Sequence, residues 1–407
     1  MQLGNRIVSL AFAVVAMWAW AGCGGGGGCP TTSFGSVALG PTARTSTAPR
    51  GCSSTSTGGG GGGGGGATAA LLYYVGSNDI LGARLSTTGT FTALTSFTPP
   101  TLSSSVGNDM VIVSKKFLYL PQSDSLTIQA FTIDHSAGAL TAIAGSPFAT
   151  AGADSVATDP TGRFLFVGNR NAGSISVFQI NATTGALVAA PGSPFFAFNL
   201  DFAAVLAVDG TGKFLYVGQD LPALPIYAFS IDQNTGALSP VVGSPFNLNV
   251  AGVRTDFLGK FAVGITGNTG DNHLYVFAID PTTGALAAVN NSPFATVAST
   301  PLNLEVHPSS QFVYSFGLDS NGAYTAIEGF SIDSSTGALT ALAGSPFTAP
   351  PIAAFCKWDQ GGAEAFCANA ATSAFSVLDT NTSTGALTHT VVDLAVPNDA
   401  VPFAPTD

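Results

Sequence analysis

The sequence predicts an all-β fold, a seven-bladed β-propeller with four antiparallel strands per blade. Three observations predict it. A unit of roughly 49 residues recurs along the chain, each unit contains four short apolar runs between turn residues, and one turn returns seven times. Four-stranded sheets repeated around a ring leave only short, protected edges, so an array of such units is expected to close radially.

The recurrent turn is centred on a glycine, usually within Thr-Gly-Ala-Leu. This glycine occurs at intervals of 47 to 53 residues, at Gly89, Gly138, Gly185, Gly236, Gly284, Gly337 and Gly385. An Asp or Asn four residues earlier is expected to cap a type I turn, with the glycine in the left-handed conformation that a bulge needs. The motif therefore predicts a hairpin between the last two strands of each unit.

One unit illustrates the four strands, which we call A to D. They are predicted at Ser155–Asp159, Arg163–Gly168, Ser174–Ile180 and Ala186–Ala190, with tight A–B and C–D turns and longer B–C and D–A loops. Most units end in Gly-Ser-Pro-Phe. We expect the phenylalanine to pack between blades as part of the core rather than to bind a ligand.

The two ends of the repeat array predict how the ring closes. The first unit begins with Ala70–Gly76, Ile80–Ser86 and Thr90–Phe97, which match strands B, C and D and lack a strand A. One apolar segment near Asn398–Ala404 follows the last strand D, and it can supply the missing strand. A propeller over residues 67–407, closed by strands from both termini, would have no exposed seam.

The first 66 residues predict export and a flexible tether. Residues 1–22 read as a signal peptide, with Arg6 before an apolar run that ends at Ala21-Gly22-Cys23, similar to a bacterial lipobox. Lipidation of Cys23 is expected; the alternative is ordinary cleavage that leaves it unmodified. Residues 23–66 are rich in Gly, Ser and Thr and predict a disordered linker. The expected location is extracytoplasmic: a membrane-anchored lipoprotein, periplasmic or at the cell surface, or otherwise a secreted protein.

Charge and cysteine content limit the partners. With 12 basic and 23 acidic residues the net charge is −11, a poor match for nucleic acid. Cys356 and Cys367 lie on two predicted strands either side of a Gly-Gly turn, and export permits a disulfide between them. Two buried thiols are the alternative, and a Cys29–Cys52 pair stays open. No His or Cys cluster predicts a metal site, and no cofactor or second subunit is expected.

The blade sequences also carry a family resemblance. The segments TGRFLFVGNRNAGSISVFQIN and HPSSQFVYSF…FSIDSSTGAL, with the recurrent turn, resemble the lactonase-type seven-bladed propellers, which include bacterial 6-phosphogluconolactonase and fungal muconate-lactonising enzymes. Asp159–Arg170 follows the blade start of that family. The resemblance spans residues 67–407 and implies the propeller fold and, for an enzyme, a lactonase acting on a carboxylic ester. The related enzymes use His, Arg and Glu around the channel.

Alignment of the A strands on their terminal Asp or His identifies a candidate site. It places Arg254, Glu305 and Lys357 at one depth near the axis of three consecutive blades. A carboxylate between two cations can activate water while a cation polarises a lactone carbonyl. We expect the cations to lower the pKa of Glu305. The alternative is an ion cluster that neutralises itself in a wet channel.

Other candidates lie in the loops at the mouth of the channel. Asn169 and Arg170 occupy a B–C loop and are candidate ligand-binding residues, and His273, a further candidate, opens a strand C on the same side. Arg170 can bind a carboxylate or phosphate; the alternative is that it is simply solvated. Loop acids are expected to be simply solvated; these are Asp220, Asp271 and Asp319. The remaining histidines fall away from this side and are poor catalytic candidates; these are His135, His307 and His389.

The sequence therefore supports two functional hypotheses. The first is an exported, tethered propeller that binds a small lactone or sugar acid, a surface protein or a glycan through its mouth loops. The second is a lactone hydrolase that resembles 6-phosphogluconolactonase and uses the Arg254–Glu305–Lys357 column.

Overall fold

The computed structural model describes a defined part of the chain. The described residues are 71–75, 79–85, 90–94, 102, 109–169, 172–196, 204–219, 225–266, 268, 270–296, 300–318, 327–347, 353–359, 361–369, 374–389, 394–395 and 403–405. Several predictions fall outside them: the signal peptide, the tether, and residues Cys23, Cys29, Cys52, Arg170, Asp220 and Asp319. Within the described ranges, no helix is long and apolar enough to cross a membrane.

The described residues form 32 strands. Those of the first three blades are β1 (Leu71–Val75), β2 (Ile80–Leu85), β3 (Phe91–Ala93), β4 (Val111–Val113), β5 (Phe117–Gln122), β6 (Thr127–Asp134), β7 (Ala139–Ala142), β8 (Phe148–Ala149), β9 (Ser155–Thr158), β10 (Phe164–Asn169), β11 (Ser174–Ile180), β12 (Leu187–Ala189) and β13 (Phe195–Phe196). Those of the next two are β14 (Ala204–Val208), β15 (Phe214–Gln219), β16 (Tyr227–Ile231), β17 (Leu238–Pro240), β18 (Gly252–Thr255), β19 (Phe261–Ile265), β20 (His273–Ile279), β21 (Leu286–Ala288) and β22 (Phe294–Ala295). The remaining strands are β23 (Thr300–Val306), β24 (Phe312–Leu318), β25 (Glu328–Ile332), β26 (Leu339–Ala341), β27 (Ala353–Trp358), β28 (Glu364–Asn369), β29 (Ala374–Thr380), β30 (Leu387–His389), β31 (Leu394–Ala395) and β32 (Phe403–Pro405).

These strands form seven antiparallel sheets, which confirms the predicted seven-bladed propeller. Blades 2 to 7 each contain four consecutive strands in the order A-B-C-D, beginning at β4, β9, β14, β18, β23 and β27. In blades 2, 3, 5 and 7 a short fifth strand also pairs with strand C. The bridges Ile226↔Phe246 and Ile327↔Phe347 take its place in blades 4 and 6.

Blade 1 is assembled from both ends of the described chain. Its order is β32-β1-β2-β3, and β32 pairs with β1 through the register Tyr73↔Ala404. The predicted closure is confirmed, with β32 at Phe403–Pro405, the end of the expected segment. The pairing covers the inner edge of β1, which would otherwise be open to association.

The recurrent turn has the predicted geometry. In blade 3, the side-chain Oδ1 of Asn181 accepts hydrogen bonds from the backbone N–H groups of Thr183 and Thr184, at 3.0 and 2.9 Å. Gly185 has a φ of 72°, a left-handed conformation that is strained for other residues. The equivalent glycines that are described share this conformation, with φ between 72° and 77°. In blades 2 to 7 the turn is therefore built by a side-chain cap plus a glycine.

Apolar cores fill the spaces between neighbouring blades. The Gly-Ser-Pro-Phe segments help to build them, since in blade 3 the Ser193 hydroxyl accepts the N–H of Val177 at 2.9 Å and Phe195 packs on the core between blades 3 and 4. The prediction that these phenylalanines pack between blades is confirmed. In blade 7 the Sγ atoms of Cys356 and Cys367 are bonded, and these residues face each other across β27 and β28 with their Cα atoms 4.0 Å apart.

Candidate active site

One ring of strand A positions around the axis contains the three predicted charged residues. In every blade, the third residue of strand B pairs with one residue of strand A, and we call these seven strand A residues the axial layer. They are Ala404, Val111, Ala157, Ala207, Arg254, Glu305 and Lys357. The structure thus places Arg254, Glu305 and Lys357 at equivalent positions in blades 5, 6 and 7.

Arg254 and Glu305 form an ion pair inside the ring. Arg254 Nε lies 3.8 Å from Glu305 Oε1, and the two residues are only 4% and 8% exposed. Glu305 stands between the blades of Arg254 and Lys357, so it faces a cation on each side. A carboxyl in this position is shielded from bulk water and can interact strongly with a bound carbonyl compound.

Lys357 has a partner that sequence reasoning missed. Its Nζ lies 3.8 Å from Oδ1 of Asp109, and both residues are 2% exposed. Asp109 stands two residues before Val111, so it lies beside the axial layer, toward the end where the A strands begin. The pair spans from blade 7 to blade 2, and the four charges of the site balance: Asp109 and Glu305 against Arg254 and Lys357.

Burial decides the ionisation of Glu305. Burial raises the pKa of Glu305 to about 7, and the attraction of Arg254 and Lys357 reduces this effect without reversing it. The expectation that the two cations lower this pKa is wrong, because desolvation of the carboxylate is the larger contribution. At neutral pH the Glu305 carboxyl is therefore present in both its ionised and its protonated form, as a general base requires.

The other three groups respond to the same desolvation. Burial lowers the pKa of Lys357 to about 8, although Asp109 and Glu305 act to raise it. Burial also lowers the pKa of Arg254 and raises that of Asp109 well above its usual value, against the attraction of their partners. Each group therefore holds its charge less firmly than it would in water.

Two depressions reach the ion pair from its two ends. One is lined by Arg254, Glu305 and the residues where strand A meets the A–B turn, such as Asp256. The other is lined by Arg254, Ile265 and Asn303, toward the opposite end of the strands. Arg254 lines both depressions, so the pair is the point where they approach each other.

Asn169 is directed into its own blade. It is fully buried at the end of β10, and its Nδ2 donates hydrogen bonds to the hydroxyls of Ser174 at 3.0 Å and Ser176 at 2.8 Å. The structure therefore does not bring this amide into the charged column, and its ligand-binding role stays a prediction.

His273 is the first residue of β20, and its ring is hydrogen-bonded to Asp271. Its Nδ1 lies 2.8 Å from Oδ1 of Asp271, whose Oδ2 accepts hydrogen bonds from Thr266 Oγ1 at 2.7 Å and Tyr275 Oη at 3.0 Å. Partial burial acts to raise the pKa of Asp271, but these hydrogen bonds lower it by more. The net result is a pKa below the usual value for Asp. The sequence suggested that Asp271 is simply solvated, and this prediction is wrong. Its carboxylate orients the half-exposed ring of His273.

His307 has a structural position at the A–B turn of blade 6. Its Nε2 lies 2.8 Å from the carbonyl oxygen of Gly362, and its Nδ1 lies 2.8 Å from the Ser309 hydroxyl. Burial lowers the pKa of His307 to about 4, so the ring is neutral at physiological pH. In the described part of the chain, no group of three or more His, Cys, Asp or Glu residues is arranged to hold a metal ion.

The first three blades match a known protein family. The family model described as Lactonase, 7-bladed beta-propeller matches residues 70–194. The resemblance to the lactonase-type propellers is confirmed. The matched residues cover blades 1 to 3, whereas the charged column is contributed by blades 5 to 7. No curated protein matches this sequence.

Solved structures share the propeller fold over most of the chain. A candidate 6-phosphogluconolactonase of Bacteroides fragilis has a TM-score of 0.63 at 19% identity, covering 84% of this chain and 98% of its own. One from Bacteroides uniformis has a TM-score of 0.65 at 20% identity, with coverage of 83% and 99%. The periplasmic gluconolactonase of Pseudomonas aeruginosa has a TM-score of 0.61 at 15% identity, with coverage of 83% and 98%. At these identities the likeness shows the fold alone.

Proposed function

We propose that this protein hydrolyses a sugar-acid lactone at the axial charged column, outside the cytoplasm. The observation that carries the proposal is Glu305, a buried carboxyl held between two cations with its pKa raised to about 7. A general base is most effective when its pKa lies near the working pH. In a chain with only 9% charged residues, the described part brings four buried charged groups together at this column.

The arrangement accounts for the attack of water on the lactone. Glu305 accepts a proton from a water molecule whose oxygen attacks the lactone carbonyl carbon. The carbonyl oxygen becomes an oxyanion, which the guanidinium of Arg254 stabilises, since Arg keeps its charge in proteins. Collapse of this intermediate breaks the bond to the ring oxygen, which must take up a proton to give the hydroxy acid.

Export is part of the same proposal. The signal-like residues 1–22 and the linker 23–66 support it, as does the similarity in fold to a gluconolactonase described as periplasmic. A flexible linker of this length would hold the propeller on the order of 35 Å from a lipid at Cys23. The substrate would then be a lactone present outside the cytoplasm.

A propeller that binds its ligand without turnover is the second candidate. It is favoured by the balance of the site, where two buried anions face two buried cations and so satisfy each other. In that case the same column would recognise a sugar acid or lactone, or the mouth loops would bind a surface protein or glycan.

Turnover of a lactone panel separates these functions. We would assay glucono-δ-lactone, a muconate-type lactone and an acyl-homoserine lactone with the wild-type chain and with Glu305→Gln. The proposal predicts hydrolysis of at least one substrate and a loss of about 10²-fold or more in kcat for the variant. Glu328→Gln is the matched control, because Glu328 is a buried glutamate of β25 in the same blade.

Each outcome has a definite meaning. Equal turnover in wild type and Glu305→Gln would exclude Glu305 as the base. An equal loss in the Glu328→Gln control would assign the effect to the fold of blade 6. Saturable ligand binding without turnover would support the second candidate.

A further inference from the structure

We propose that Lys357 is the general acid of the reaction, giving its proton to the ring oxygen as the lactone opens, and that Asp109 is the residue that positions it. This inference rests on the proposed lactone hydrolysis and assigns the half of the reaction that Glu305 and Arg254 leave open. Nothing in the blade pattern identifies Asp109; its position follows from the structure alone.

The two cations beside Glu305 differ in what they can do. Arg254 and Lys357 occupy the axial layer in blades 5 and 7, on either side of Glu305, and the proposal places the lactone between them. An arginine guanidinium does not release its proton in proteins, whereas a buried lysine ammonium can. Arg254 is thus suited to stabilise the oxyanion, and Lys357 is the cation that can transfer a proton.

The proton transfers balance. Glu305 takes a proton from water as the carbon–oxygen bond to the carbonyl carbon forms. The bond between this carbon and the ring oxygen then breaks, and the ring oxygen receives a proton from the Lys357 ammonium. Glu305 is left protonated and Lys357 neutral, and transfer of one proton from the carboxyl to the amine restores both groups.

Asp109 is the ion-pair partner of the Lys357 ammonium. Its Oδ1 lies 3.8 Å from Nζ of Lys357, and both side chains are almost fully buried. Lys357 is faced by Asp109 before β4, Glu305 of β23 and Arg254 of β18. Asp109 and Glu305 raise the pKa of Lys357, Arg254 lowers it, and burial has the largest effect and lowers it.

The first test compares two leaving groups in the full chain with Lys357→Met. Glucono-δ-lactone expels an alkoxide, which needs protonation, whereas dihydrocoumarin expels a phenolate, which does not. We expect kcat to fall by about 10²-fold or more on the first and by less than about 10-fold on the second. Equal losses on both lactones would overturn the role of Lys357 while leaving the hydrolase function intact.

Removal of one buried charge can itself disturb the fold, because the partner charge is left uncompensated. The double variant Lys357→Met/Asp109→Asn removes both charges and provides the check. It should show the same dependence on the leaving group. A double variant with full activity on glucono-δ-lactone would also overturn the proposal. A wild-type chain that opens neither lactone would instead count against the proposed function itself.

The second test uses glucono-δ-lactone alone and reads the pH profile of kcat/KM. In Asp109→Asn the loss of the anion should lower the pKa of Lys357, so the decline on the alkaline side should move from about 8 to lower pH. A purely structural role would reduce the rate at every pH without moving this limb. That result would overturn the positioning role of Asp109.

Discussion

His307 shows at the scale of one residue how burial sets ionisation in this fold. It occupies a position where most other blades have Asp, and its ring lies among Phe312, Tyr314 and Trp358. Burial lowers its pKa from 6.5 to about 4. As the pH falls below 6.5 the unfolded chain binds a proton there while the folded chain does not, so stability is lost between pH 6.5 and 4.

Replacement of His307 by Asn should remove this pH dependence. The shift of the pKa from 6.5 to about 4 corresponds to about 3 kcal/mol of unfolding free energy. Urea unfolding from pH 7 to pH 4 should show wild type losing about that much more than His307→Asn. If the free energy of unfolding depended on pH in the same way in both proteins, the His307 ring would not contribute to the pH dependence of stability.

Residue identity predicted only part of the site. Alignment found Arg254, Glu305 and Lys357 because each stands two residues before the Asp or His that follows its strand A. It missed Asp109 because the A–B connection of blade 2 spans 114–116, two residues shorter than the 159–163 connection of blade 3, and lacks the aligning Asp. It gave the wrong direction for the pKa of Glu305 because a sequence shows charges but not the desolvation around them.

At the level of the secondary-structure elements, tyrosines of strand B link neighbouring blades. Four of them, third in their strands, donate a hydrogen bond to the carbonyl of the turn glycine in the next blade; these are Tyr73, Tyr119, Tyr216 and Tyr314. The distances are 2.7 to 2.9 Å. The recurrent turn thus serves both its own hairpin and the packing between blades. Sequence periodicity identified the turn, but not this contact across blades.

Adjacent tyrosines of β1 allow this contact to be measured. Tyr73 donates to the Gly138 carbonyl at 2.9 Å, whereas the described residues show no hydrogen bond from the Tyr74 hydroxyl. Tyr73→Phe should reduce the free energy of unfolding by about 1 kcal/mol, because a buried carbonyl loses its donor. Tyr74→Phe should change it by a few tenths at most. Equal losses in urea unfolding would contradict the contribution of the contact.

Closure of the ring is the property of the whole molecule that the sequence predicted well. The missing first strand A and the leftover segment at the end of the repeats together indicated the pairing of β32 with β1. The pairing depends on chain order rather than on side-chain detail, and chain order is visible in sequence. The loops at the mouth vary between units, so their contacts could not be predicted in the same way.

Removal of residues 403–407 should therefore affect the entire ring. It would leave β1 with an open edge, so we expect the Tm to fall by roughly 5 °C or more and larger species to appear in light scattering. Removal of residues 1–66 is the control and should leave the Tm unchanged, since these precede the predicted propeller. An unchanged Tm after loss of residues 403–407 would contradict closure through β32.

The pH dependence of lactone hydrolysis tests the account of the site most directly. With the spontaneous rate subtracted, kcat/KM for glucono-δ-lactone should rise as Glu305 loses its proton near pH 7 and fall as Lys357 loses its proton near pH 8. A narrow maximum between these values is the predicted result. A rate that does not change between pH 6 and 9 would contradict the assignment of the buried column as the catalytic site.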